Sequence, residues 1–454
     1  MTDFDVVVIG GGPAGITLSK ITGKKLKVAV IRPEDHSMIY CAMPYAVEGL
    51  LEVEKTLKAD SLVTDAGATL IRDLVTKVDL EKRIVSLRSG STISYGKLVI
   101  ATGARPIIPQ IPGRDLKGIT GFKTEDDLKR IMGLLQTGIS KVVVVGAGAI
   151  GIELSMALNS QGTEVHLVDM EESVLPNMLD SEMAGELSEE ITGTGINLHL
   201  GSKVTELRGK GAVEQVILDT GKIIDIGTVS SRKGSIQGEL SGMVIFAVGM
   251  DPEVSLFKDT GLAIGKDGII VNDKMETNHP GVYSVGDCVQ FTSGITGEVI
   301  SGKLATNAVP MAKVLGSNLL GMERTYPGFF NGAATKVGQF FVGGTGLLEK
   351  RTGESEDDTV CGYSESTTQF PIMPDAKPIR LKLIADRKTH RLLGGQVISG
   401  EAVSARVDLL TFAIQKKTTI EELADLSYSA QPLQSFYPAA NIIVLAAEDI
   451  LKKL

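Results

Sequence analysis

Across 454 residues, 43% hydrophobic and 22% charged, the composition is that of an ordinary globular chain and excludes disorder. Forty-six basic against 55 acidic residues leave a net charge of −9, which argues against nucleic-acid binding. Three cysteines are too few for a disulfide framework and point to a reducing cytoplasm, while 52 glycines, about 11% against a usual ~7%, mark a need for bare backbone.

The chain opens on Met1-Thr2-Asp3-Phe4-Asp5 with no basic segment or cleavage site, so no signal peptide is expected. Its apolar runs, such as Val142 to Val145, are strand-length and too short for a membrane span. The first predicted strand, Phe4 to Ile9, runs into Gly10-Gly11-Gly12-Pro13-Ala14-Gly15 and then a helical pattern, with a second strand at Leu26 to Ile31. The same order returns at Lys141 to Val145, Gly146-Ala147-Gly148-Ala149-Ile150-Gly151 and Val165 to Val168. In each G-x-G-x-x-G the first glycine allows a tight turn, the second admits a diphosphate to the backbone, and the third lets helix and strand pack closely. One such loop is also a common structural turn. Two, each with the right flanks, predict two βαβ units and two bound dinucleotides.

Small-residue strand ends follow at Ala101-Thr102-Gly103, at Ala247-Val248-Gly249, and at Val282-Tyr283-Ser284-Val285-Gly286-Asp287. Beyond about residue 325 the character shifts to short strand-like runs (340–342, 380–385) and helical patterns at 402–416 and 419–426, read as a separate α+β domain. The five histidines are scattered with no metal-ligand spacing, so no metal is expected. Cys288 and Cys361 stand in no motif and read as buried, inert cysteines.

Together these motifs resemble the FAD- and NAD(P)-dependent pyridine nucleotide–disulfide oxidoreductases over essentially the whole chain. The resemblance implies an α/β fold with two Rossmann-like FAD- and NAD-binding domains and a C-terminal α+β domain that forms a homodimer. It divides the chain into an FAD-binding domain at 1–115 and 246–324, an NAD-binding domain at 116–245, and a dimerisation domain at 325–454. It implies FAD contacts from Gly10, Gly12, Pro13, Ala14, Gly15, Ser37, Cys41, Ala101, Thr102, Gly103, Gly286 and Asp287, the last on the ribityl chain. It implies nicotinamide contacts from Gly146, Gly148, Ile150, Gly151, Glu153, Asp169 and Gly249.

The segment Ser37-Met38-Ile39-Tyr40-Cys41-Ala42-Met43-Pro44-Tyr45 is similar to the single-cysteine branch, S-x-x-x-C-x-x-P-Y. The dithiol branch carries C-x4-C, and here the second position is Ala46. That branch includes coenzyme A-disulfide reductases, persulfide or polysulfide reductases, NADH peroxidases and water-forming NADH oxidases. It implies a redox-active Cys41 over the flavin, which as thiolate attacks a substrate disulfide. A tyrosine of the partner's C-terminal domain approaches that cysteine in sulfur-reducing relatives. Tyr428 matches it as a proton donor, with Tyr437 a weaker second.

Departures refine the expectation. Asp169, ending the second strand of the second unit, accepts hydrogen bonds from a ribose 2′-hydroxyl and repels a 2′-phosphate, which favours NADH over NADPH. In the first unit that position is Arg32 where an acid is usual, leaving Glu34 as the substitute. Pro13 stands where the oxygen- and peroxide-reducing members carry histidine, which tilts the reading to a sulfur substrate. The end of the first helix offers Lys20, Lys24 and Lys25 but no arginine, so coenzyme A is weakened rather than excluded. Tyr40 replaces a usually small or polar residue and reshapes the pocket. The expected activity is NADH-dependent, FAD-mediated reduction of a small disulfide, persulfide or polysulfide through Cys41, with no nucleic-acid or membrane partner. The alternatives are an NADH oxidase using oxygen, and an electron carrier or redox-responsive binding protein.

Overall fold

The computed structural model describes residues 2–227, 242–351 and 358–454. The β-branched runs that read as two-sided strands do lie at the centre of parallel sheets. Phe4–Ile9 pairs with Val28–Arg32 on one side and Thr92–Ile100 on the other, in registers Val7 to Ala29 and Val7 to Leu98. Thr69–Arg72 extends this sheet, an antiparallel pair (Val75–Asp79, Ile84–Leu87) adjoins it, and Val282–Ser284 returns to lie parallel to Thr92–Ile100. The first sheet therefore draws its strands from both sides of the second nucleotide unit.

The second sheet is all parallel, in the spatial order Ile119–Thr120, Gly242–Phe246, Lys141–Val145, Glu164–Val168, Asn197–His199. A three-stranded antiparallel sheet covers one face, burying Val204, Leu207, Val216 and Leu218 against Val143, Val145 and Phe246. Two antiparallel segments, Ala104–Pro106 and Met250–Pro252, link the two sheets where the chain crosses between them. The C-terminal part is a five-stranded antiparallel sheet from Ala333 to Ser399 with helices Ser404–Gln415 and Ile442–Leu451 packed on it.

That sheet meets the second unit through a charge cluster around one buried lysine. Lys382 is 0% exposed, and its ammonium donates to Asp180 at 2.9 Å, to Glu349 at 2.6 Å and to Glu182. Burial alone would depress the lysine's pKa, but its carboxylate partners outweigh that and raise it. Among the described residues no helix is long and apolar enough to cross a membrane.

Candidate active site

Both glycine loops are built the same way. Gly10 and Gly146 sit at φ +119° and +111°, and a Cβ on either would run into the carbonyl of Ala101 or Ala247 on the neighbouring strand. Their N–H groups donate to Ile31 at 2.8 Å and to Val168 at 2.7 Å. Gly15 and Gly151 lie where a side chain would strike the carbonyls of Gly10 and Gly146, which explains the third glycine. Gly12 and Gly148 are the N-caps of helices Pro13–Thr22 and Ala149–Ser160, with no side-chain cap and no heavy atom within 4 Å of a notional Cβ. Each helix thus opens on bare N–H groups facing free space, which suits a diphosphate. The residues present fit one dinucleotide at each loop.

The two units part company at the ends of their second strands. Asp169 accepts the N–H of Ala147 within the second glycine loop, and its other oxygen takes the Glu171 N–H at 2.8 Å. Arg32, at the corresponding place, is 2% exposed and packs against Gly11, where a Cβ would come within 2.5 Å of its Cδ. Its guanidinium donates to the Glu34 carbonyl at 3.1 Å and the Asp35 carbonyl at 2.9 Å, and pairs with Asp60. The arginine thus braces the 33–36 loop, and the Glu34 side chain is left exposed beyond it.

Cys41 lies exposed on a short 3-10 turn, Tyr40–Ala42, that leads into helix Met43–Val47. With five residues, that helix offers little dipole to a thiolate. Lys58 lies opposite Ser37 in the two-stranded pair just before the turn, and Ile39 N–H donates at 2.7 Å to the carbonyl of Thr56, which ends the 3-10 turn leading into that strand. Burial lowers the pKa of Lys58, an effect the Cys41 charge opposes and the Lys20 charge reinforces. Ser37 Oγ is buried with no partner, a polar atom in place for a ligand. Ala46, where a second cysteine would stand, is 1% exposed and packed with Met43 in the apolar core of the second unit.

The remaining residues fall around these loops. Val285 N–H donates to the Ile100 carbonyl at 3.0 Å, which aligns Gly286 (φ +82°) between Ala14 and Ala308 and brings Asp287 to the first unit. Thr102 spends its hydroxyl on the Glu253 carbonyl at 2.6 Å, so its side chain ties the 101–103 turn to the crossing segment. Gly103 is open at φ +75°, and Gly249 (φ +115°) accepts the Ile107 N–H at 3.1 Å. Ile150 is partly buried in the helix after the second loop. Glu153, one turn further, accepts the Thr335 hydroxyl at 2.7 Å, and burial raises its pKa against that bond.

Tyr428 is 43% exposed and gives its hydroxyl to the Pro438 carbonyl at 2.6 Å, in a C-terminal segment that also exposes Leu433 and Tyr437. Cys288 is fully buried against Ser284, Val285 and Ile100, with burial raising its pKa; Cys361 is pushed up to about 12 by burial. Neither is poised to react.

Besides Lys58, sequence reasoning missed two further groups. Lys123 forms an ion pair with Asp287 at 3.2 Å and lies 4.7 Å from the Tyr40 ring centroid. Lys303, before helix Ala305–Leu319, donates to the Asp267 carbonyl at 3.0 Å, and its pKa falls through burial although Asp267 and Asp287 oppose this. No motif surrounds either lysine. Only tertiary register brings them to the site.

The pyridine nucleotide-disulphide oxidoreductase family matches residues 4–312, and its dimerisation domain matches residues 333–439. An NADH oxidase of Methanocaldococcus jannaschii is 34% identical, with 99% of both chains covered. An NAD(P)H coenzyme A polysulfide/persulfide reductase of Pyrococcus horikoshii is 30% identical over 93% of this chain and 94% of its own. The NAD-dependent persulfide reductase structure from A. fulgidus superposes with a TM-score of 0.89 at 29% identity, covering 99% of this chain and 83% of that one. The chain belongs to the pyridine nucleotide-disulphide oxidoreductase family, which implies FAD, NAD(P)H and a homodimer.

Proposed function

We propose that the protein is an NADH-dependent FAD flavoprotein that reduces a small disulfide, persulfide or polysulfide, with Cys41 as its redox centre. The observation that carries this is the exposed Cys41 on its short turn, with the second thiol position filled by the core residue Ala46. Gly10, Gly12, Pro13, Ala14, Gly15, Ser37, Ala101, Gly103, Gly286 and Asp287 would hold FAD; Gly146, Gly148, Gly151, Asp169 and Gly249 would hold the nicotinamide. FAD, when bound, supplies a two-electron carrier between nicotinamide and sulfur.

The chain's own part is to present a thiolate. Cys41 Sγ attacks one sulfur of the substrate, so that the Cys41–S bond forms as the substrate S–S bond breaks. The leaving sulfur departs with the bonding pair and takes a proton, for which Tyr428, contributed by a dimer mate, would be the donor once its hydroxyl leaves the Pro438 carbonyl. The Lys58 ammonium, whose pKa the Cys41 charge acts to raise, would offset part of the negative charge on sulfur. Overall, NADH, one proton and one disulfide give NAD+ and two thiols. Asp169 favours NADH because a carboxylate ending the second strand accepts a ribose 2′-hydroxyl and repels a 2′-phosphate.

The identity to an NADH oxidase supports a second reading, with oxygen as acceptor. NADH consumption under nitrogen against coenzyme A disulfide, coenzyme A persulfide, polysulfide and glutathione disulfide, compared with consumption under air, separates them. Turnover with a sulfur acceptor at least about tenfold above that with oxygen supports the main reading; the reverse order supports the second.

A further inference from the structure

Lys123 stands before helix Glu125–Gln136, whose capping box of Thr124 and Asp127 also fixes the lysine's backbone: the Lys123 N–H donates to Asp127 at 3.0 Å. From that anchor the side chain reaches the interior. Lys123 and Asp287 are only 17% and 14% exposed, and their ion pair is 3.2 Å. The same ammonium lies 4.7 Å from the centroid of the Tyr40 ring. Asp287 is its one carboxylate partner among the described residues. A cation enclosed to this degree is held firmly, because leaving the carboxylate would strand both charges away from water.

We propose that Lys123 is a positioning residue that couples the first dinucleotide site to the redox cysteine. One ammonium holds the Asp287 carboxylate and the face of Tyr40, the residue immediately before Cys41. A carboxylate offers several lone-pair sites, so Asp287 keeps Lys123 on Oδ2 while accepting a ligand hydroxyl as well. A flavin bonded to Asp287 and the sulfur of Cys41 are then placed relative to each other through a single side chain. This also gives the unusual Tyr40 a role, since a small or polar residue there offers no aromatic face for the cation. The inference rests on the reading of Cys41 as the redox centre over FAD.

The test is alkylation of Cys41 by iodoacetamide, followed on the peptide that contains it, in FAD-saturated and FAD-stripped protein. Bound FAD is expected to slow wild-type alkylation at least about tenfold. In Lys123→Met at saturating FAD the protection falls to under about threefold, and FAD binds roughly fivefold more weakly; Lys123→Arg keeps both. Tyr40→Leu reproduces the loss of protection and carries the test if Lys123→Met does not fold. Unchanged protection in Lys123→Met and Tyr40→Leu overturns the inference alone. Absence of any FAD protection in the wild type overturns the Cys41–flavin reading and the inference with it.

Discussion

At the scale of single residues, the site depends on groups with nothing between them and a ligand, and on charges with little choice of partner. Gly12 and Gly148 leave helix N-termini open, Ser37 Oγ is buried without a partner, and Lys58 is a half-buried cation opposite Ser37 in the strand pair before Cys41. If Lys58 supports the thiolate, Lys58→Met slows iodoacetamide alkylation of Cys41 at neutral pH roughly three- to tenfold, and Lys58→Arg does not. Equal rates in all three proteins would assign Lys58 to packing. Asp169 makes a comparable claim on the nicotinamide. Asp169→Ala should cost kcat/KM for NADH about tenfold or more while that for NADPH changes little, because the carboxylate that holds the Ala147 N–H is also the group proposed to accept the ribose hydroxyl. An unchanged NADH to NADPH ratio would remove it from nucleotide choice.

At the scale of elements, the two βαβ units show what a sequence pattern reveals and what it leaves out. The glycine loops and the strand ends at 101–103 and 247–249 were legible because close backbone approach needs residues without side chains, and that need is written locally. The bracing by Arg32 was not legible: the residue announces a charge, and only the packing against Gly11 shows that it is turned onto the 33–36 loop. Lys123 was silent for the same reason, since its partner lies on a strand end far along the chain.

The helix after the second loop carries a pH-sensitive strain in Glu153, whose pKa burial raises above the usual carboxylate range. A raised carboxyl binds its proton more tightly in the folded state, so the stability it offers is present in acid and lost as pH rises through its folded pKa. Glu153→Gln should therefore melt above the wild type at pH 7, with the gap closing near pH 4. A gap independent of pH would mean that the Thr335 bond, and not the buried charge, sets its contribution.

At the scale of the whole molecule, one buried lysine joins the second nucleotide unit to the C-terminal sheet. Lys382 satisfies Asp180, Glu182 and Glu349, and Gln396 adds a bond to Asp180 at 2.6 Å. Lys382→Met leaves those carboxylates facing one another and should cost about 3 kcal/mol in chemical denaturation. A loss below about 1 kcal/mol would show that solvent reaching Glu182 and Glu349 already screens them. The segment after helix Ile420–Ala424 also exposes Tyr428, Leu433 and Tyr437, side chains suited to the partner subunit that a dimerisation domain implies.

On the proposed reading, electrons leave this molecule through Cys41. The direct test is Cys41→Ser, assayed anaerobically for FAD content, for bleaching of the flavin by NADH, and for turnover with coenzyme A disulfide and polysulfide. Under this reading FAD binding and NADH-driven bleaching persist while sulfur-acceptor turnover falls at least about a hundredfold. Sulfur turnover at the wild-type rate in Cys41→Ser would contradict it.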